Sequence, residues 1–193
     1  MTKTARTAAV RAAVVMAVVG WTSHATAAES RAVVAGQPAL MAPDARVRGL
    51  SPRVVAVINE AAAQSETFRR QVDLIAATDG IVYVAEGKCG QGVRACLLAN
   101  IAIAGSNRVL RIVVDARASD RDLMASIGHE LRHALEVLGD PSVRSSSEMV
   151  LRLKEMCNAC GLRFETDAAI RAGNAVREEL LASAAARKPP EQR

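Results

Sequence analysis

The sequence predicts an α+β domain: an N-terminal helix, a small three-stranded antiparallel sheet, and then three further helices. Three observations carry that reading. Apolar residues at helical spacing follow Ser51-Pro52. Three short runs rich in valine and isoleucine lie between residues 81 and 116, separated by short glycine-containing stretches. From Asp120 onward, helix starts and stops recur without another strand-like run. At 193 residues the chain has room for one such domain with a processed or flexible segment at each end. Half of it is hydrophobic but only 2% is aromatic, so the core must be packed from small aliphatic side chains.

The first 27 residues read as a signal peptide. Lys3, Arg6 and Arg11 precede the apolar run Ala12 to Trp21, and Ala25-Thr26-Ala27 offers a small-x-small cleavage site. The run is too short for a permanent membrane span, although an uncleaved anchor is the alternative. The expected destination is the periplasm or the exterior. Residues 28–50, rich in Ala, Gly, Pro and Arg, read as a flexible approach.

The domain is expected over residues 51–186. Ser51 at an N-cap with Pro52 behind it starts a helix to about Ala77, which Asp79-Gly80 ends. The strand-like runs are Ile81 to Glu86, Leu97 to Ala104 and Leu110 to Ala116. Asp120 caps a helix to about Leu138, stopped by Gly139-Asp140-Pro141. Ser145 and Glu148 have capping-box spacing and open a helix to about Met156. Thr166-Asp167 precedes a last helix, in which Glu178 and Glu179 read as solvated charges, and residues 187–193 form a polar tail.

The formal charge of +5 belongs mostly to the leader. Without residues 1–27 there are 22 basic and 20 acidic residues, a charge of +2, and no basic patch interleaved with aromatics. That excludes a nucleic-acid surface. The cysteines Cys89, Cys96, Cys157 and Cys160 are even in number in a chain marked for export, which favours disulfides between sequence neighbours, Cys89 with Cys96 and Cys157 with Cys160. A structural zinc on all four thiolates is the alternative, against which the C-x6-C spacing argues.

Within the helix after Asp120 stands His129-Glu130-Leu131-Arg132-His133. Histidines four apart lie one turn apart on one helical face, so both imidazoles reach one tetrahedral metal ion, and Glu130 stands beside them as a general base toward water. Met124, Ile127, Leu131, Ala134, Leu135 and Leu138 form the apolar stripe, and the histidines are expected to point away from it, beside Asp122 and Ser126. Hard cations prefer oxygen donors to two imidazoles, so the expected ion is Zn2+. Beyond the leader no histidine remains other than these two, so a third protein ligand must be a carboxylate. Glu165, at the mouth of the last helix, is the first choice. Glu136 is the alternative, on the face of His129 and His133 but nearly a turn on, where it suits support of a ligand better.

On these residues the chain resembles the zincin metallopeptidases, specifically the gluzincin branch, over Ser126 to Leu135 and at Glu165. The resemblance implies His129, His133 and Glu165 as zinc ligands, Glu130 as catalytic base, and a sheet edge that holds an extended peptide by strand addition. It has two departures. Arg132 places a charge where an uncharged residue is usual, and Ala169 stands where many gluzincins carry Asp, four residues after the ligand glutamate. Tyr83 is the single tyrosine, so an oxyanion-stabilising tyrosine is that one or absent. The expected function is an exported zinc-dependent peptidase acting on a peptide or protein substrate. The alternatives are a zincin-like domain of the cell envelope that holds metal or a protein partner without turnover, and a disulfide-stapled structural protein without metal.

Overall fold

The computed structural model describes residues 44–157 and 164–187; the expected leader, most of the approach segment and residues 188–193 lie outside the described residues. The order of elements is β1 (Val47–Gly49), α1 (Pro52–Gln64), α2 (Glu66–Ala76), β2 (Gly80–Glu86), β3 (Ala95–Leu97), β4 (Ala102–Ala104), β5 (Asn107–Val114), α3 (Asp120–Leu138), α4 (Ser146–Met156) and α5 (Asp167–Ala186). This is an α+β arrangement with five helices among the described residues, and none of them is long and apolar enough to cross a membrane.

The sheet is mixed, not antiparallel. β2 pairs in parallel with β1 on one side and with β5 on the other, while β3 and β4 both pair antiparallel with the far edge of β5. The middle run, expected as one strand from 97 to 104, is two three-residue pieces interrupted at Leu98 to Ile101. It therefore cannot separate β2 from β5. Those two strands lie side by side in parallel, although burial alternates along β5 and its Arg111 is exposed. β4 returns into β5 through the two-residue turn Gly105-Ser106, with Gly105 at φ 60°, a left-handed value that favours glycine at this hairpin position. β1 lies within the stretch read as a flexible approach. Three residues are too few to show a strand period, yet Val47 is fully buried beside Val82.

The helix expected from Pro52 to Ala77 is two. Ser65, in extended conformation, ends α1 by donating its N–H to Ala61 and starts α2 by accepting from the Phe68 N–H at 3.0 Å. Its hydroxyl also donates to Glu179 Oε2 at 2.5 Å, and Thr67 gives that carboxylate its N–H at 3.0 Å and its hydroxyl at 2.6 Å. Glu179 is thus a cross-link from α5 to the α1–α2 joint rather than a solvated charge. Burial opposes its ionisation, but these donors outweigh it and hold its pKa below the ordinary value. Elsewhere the helix signals correspond closely to the elements. Ser119, one residue before Asp120, caps α3; Ser145 and Glu148 close a reciprocal capping box on α4; Thr166 caps α5.

Alternate residues of β2 and β5 (Val82, Val84, Leu110, Ile112, Val114) face Val54, Ile58, Phe68, Ile75, Leu123, Ile127 and Leu131 of the helices. α5 lies close along α3 because both carry glycine at the crossing. A Cβ on Gly128 would come within 2.8 Å of Val176, and one on Gly173 within 3.1 Å of the His129 Cβ. The C-terminal end of α3 is closed by Arg108 of β5, which is 1% exposed. Its guanidinium is held by Asp79 at 2.6 to 3.1 Å and donates to the carbonyls of Val137, Leu138, Asp140 and Val143. The carbonyls that a helix leaves unpaired at its end thereby gain partners, and the buried charge gains a carboxylate.

Candidate metal centre

α3 carries His129 and His133 one turn apart, their ring centroids separated by 4.9 Å and the planes inclined by 76°. The face of α3 that carries the histidines, expected to point away from the apolar stripe, is covered. α5 and β3 cover it, so Glu130, His133 and Glu136 are buried along with the apolar stripe. Glu165, the residue before the N-cap of α5, brings its Oε2 to 3.2 Å from His129 Nε2. One ligand atom each from His129, His133 and Glu165 lies within 4.8 Å of the others. Zinc bonds of about 2.0–2.1 Å at tetrahedral angles separate neighbouring ligand atoms by roughly 3.3 Å, so the His129–Glu165 spacing already suits such an ion. Two imidazoles and a carboxylate are also an appropriate donor set, and the three residues could hold a metal ion.

The second nitrogen of His133 is occupied. His133 Nδ1 lies 2.9 Å from Glu136 Oε2, and a carboxylate only accepts, so Nδ1 carries the proton and Nε2 keeps its lone pair. Glu136 is itself held by the Thr166 hydroxyl at 2.7 Å, while the Thr166 oxygen caps α5 by accepting from the Ala169 N–H at 3.1 Å. Arg132 Nε approaches Glu136 Oε1 at 3.5 Å. His129 hydrogen-bonds the backbone of Ala169. Of the two carboxylates considered as third ligand, Glu165 joins the cluster and Glu136 orients His133. Thr166 was legible only as a helix cap, and the role of the Ala169 backbone had no signal in its side chain.

Burial pushes the His129 pKa down, and the neighbouring His133 pushes it further, which keeps the imidazole neutral and able to donate its lone pair. Burial lowers that of His133 too, but the bond to Glu136 and the surrounding carboxylates reverse the balance and leave it raised. Glu136 would be raised by burial, yet its bonds from His133 and Thr166 leave it lowered, a fixed carboxylate. Glu130, 8% exposed, is pushed up to about 7 by burial, with His133 and the Leu97 N–H opposing. A carboxyl in that range exchanges a proton readily near neutral pH.

Glu130 meets the sheet directly: its Oε2 accepts the Leu97 N–H at 2.7 Å. The reason lies in the ladder. Leu98 donates to Arg111 and Arg94 accepts from Asp115, so alternate residues of β3 turn to β5 and the backbone groups of Ala95 and Leu97 face the open edge. Between that edge and α3 and α5 runs a cleft with two lobes, of about 240 and 370 Å3, both lined by Val93, Ala95, Glu130 and Glu165. The Cys89–Cys96 disulfide, Cα atoms 5.9 Å apart, ties the glycine-containing loop of the cleft wall to β3. Cys157 caps α4, and its expected partner Cys160 lies outside the described residues. Tyr83 lines a separate cavity with Leu50, Leu98 and Arg111, so the single tyrosine does not serve this cleft.

No family model, curated protein or solved structure matches this chain.

Proposed function

We propose that the protein is an exported zinc-dependent peptidase of zincin type, in which His129, His133 and Glu165 hold the metal and Glu130 is the general base. The observation that carries this reading is the convergence of the three ligand atoms in a cleft whose wall is a sheet edge and whose floor is Glu130. When bound, zinc supplies Lewis acidity, which makes water acidic near neutral pH and polarises a carbonyl. Glu130 Oε2 is anchored by Leu97, leaving Oε1 to take the proton from the attacking water and pass it to the departing amine. The edge-facing groups of β3 other than the Leu97 N–H, which Glu130 holds, are suited to align an extended peptide by strand addition. Where many gluzincins carry Asp, this chain has Ala169, whose backbone acts on His129, while Glu136 supports His133.

The test is Glu130→Gln in the full chain, assayed against a peptide library with metal content measured in parallel. Zinc should be retained while hydrolysis falls at least about a hundredfold, the lower range for a general base. Undiminished cleavage would contradict the assignment. One observation favours a second reading, a metal-holding domain without turnover. Glu130 already occupies the Leu97 N–H that an added strand would use. That reading predicts bound zinc and no Glu130-dependent hydrolysis in the parent protein.

A further inference from the structure

The two lobes of the cleft differ in chemistry. The lobe on the His129 side is lined by Arg94, Asn174 and Arg177, and the lobe on the His133 side by Leu97, Leu153 and Phe164. β3 passes through both: Arg94 precedes the strand in the basic lobe, Ala95 borders both lobes, and Leu97 lines only the apolar one. The N-terminal end of the strand is therefore the basic end. A peptide adding antiparallel to β3 runs the other way, so its C-terminal part enters the basic lobe and its N-terminal part the apolar lobe.

The charges agree with that direction. Arg94 is paired with Asp122 at 2.8 Å. Arg177 hydrogen-bonds the Asn174 side chain at 3.2 Å and has no carboxylate within ion-pair distance among the described residues, although Asp122 feels its charge at longer range. Of two guanidiniums at this end, one is ion-paired with Asp122, while the other is free of a direct ion pair in a lobe whose own carboxylates, Glu130 and Glu165, lie at the metal centre. Every peptide carries a carboxylate at its C-terminus, the end that antiparallel addition delivers here.

Resting on the reading of this cleft as a peptidase site, we infer that it selects substrates with a carboxylate on the C-terminal side of the scissile bond and an apolar residue on the N-terminal side. Arg177 reads the carboxylate, with Arg94 beside it. The carboxylate is that of the chain terminus or of an Asp or Glu side chain. Hydrolysis adds one water across the bond: the apolar fragment gains the new carboxyl group, and the carboxylate-bearing fragment leaves as the amine.

Binding separates this inference from turnover. Labelled hexapeptides with a central Leu-Ala are titrated by fluorescence anisotropy into the zinc-supplied Glu130→Gln protein. One has a free C-terminus and neutral side chains, one is its amide, one is an amide with Glu after the central pair, and one is an amide with Glu before it. A charge pair on an exposed guanidinium corresponds to roughly two- to fivefold tighter binding. We expect that gain over the neutral amide for the free acid or for the peptide with Glu after the pair, and whichever gains identifies the source. Glu before the pair gains nothing. The preference shrinks at high salt and disappears in Arg177→Gln with Glu130→Gln, while affinity for the neutral amide persists and shows that the variant is folded. Equal binding of all four peptides, binding of none, or a preference that survives Arg177→Gln overturns the inference. A preference kept in a protein whose parent hydrolyses nothing leaves the inference standing and removes the peptidase reading instead.

Discussion

α3 carries two polar clusters that solve opposite problems. At its C-terminal end Arg108, buried to 1% exposure, has its donors matched by Asp79 and four backbone carbonyls. In the middle of the same helix, His129 and His133, joined by Glu165 from just before α5, bring lone-pair-bearing atoms together with no donor among the described residues that satisfies all three. The first cluster is closed and the second is open. A buried charge that serves the fold is surrounded until nothing is left to bind, whereas a site keeps acceptors converged on one point and spends its hydrogen bonds behind them, as Glu136, Thr166 and the Ala169 backbone do here.

The largest effect expected from breaking this contrast is at Arg108. Arg108→Met leaves Asp79 without its buried partner and the end of α3 without donors, and should cost about 3–5 kcal/mol in urea unfolding followed by circular dichroism. Glu165→Gln in metal-free protein should change the same measurement by no more than about 0.5 kcal/mol, because the side chain is half exposed and contributes to the open cluster only. A comparable loss from both substitutions would erase the distinction.

That contrast was only half visible in the sequence. The helical spacing of His129 and His133, the absence of any other histidine beyond the leader and the capping signals at Ser145 and Thr166 are local properties, and the structure places all of them on the expected elements. Glu165 could be chosen because few carboxylates lie near a helix start. Arg108 could not be read, since its partners are 29 to 35 residues away in sequence. The mixed sheet was missed for the same reason: parallel pairing of β2 and β5 depends on where β3 and β4 are displaced, not on any pattern within the strands. Ser65 falls inside the single helix that the sequence predicts because its role as a joint depends on Glu179, 114 positions later.

A smaller effect is expected behind the open cluster. Glu136→Gln removes the charge that orients His133 and should weaken zinc binding by about 10- to 100-fold in a competition titration with a chromogenic chelator. An unchanged affinity would mean that His133 is positioned by packing alone. Smaller still is the acid response of the closed cluster. The Arg108 guanidinium holds the Asp79 pKa below its ordinary value of 3.8, against a modest opposing effect of burial. Its contribution to stability is therefore present above that value and is lost as pH falls through the lowered native pKa. The urea midpoint of the parent should drop more steeply below about pH 4 than that of Asp79→Asn. Parallel pH curves would show that the pair adds no pH-dependent stability.

The open cluster itself is tested by metal content. Elemental analysis of the purified full chain should give one zinc per molecule, and the His129→Ala/His133→Ala double variant, still folded by circular dichroism, should give none. Absence of metal from the parent after zinc supply, or an undiminished content in the double variant, would contradict a metal centre on α3.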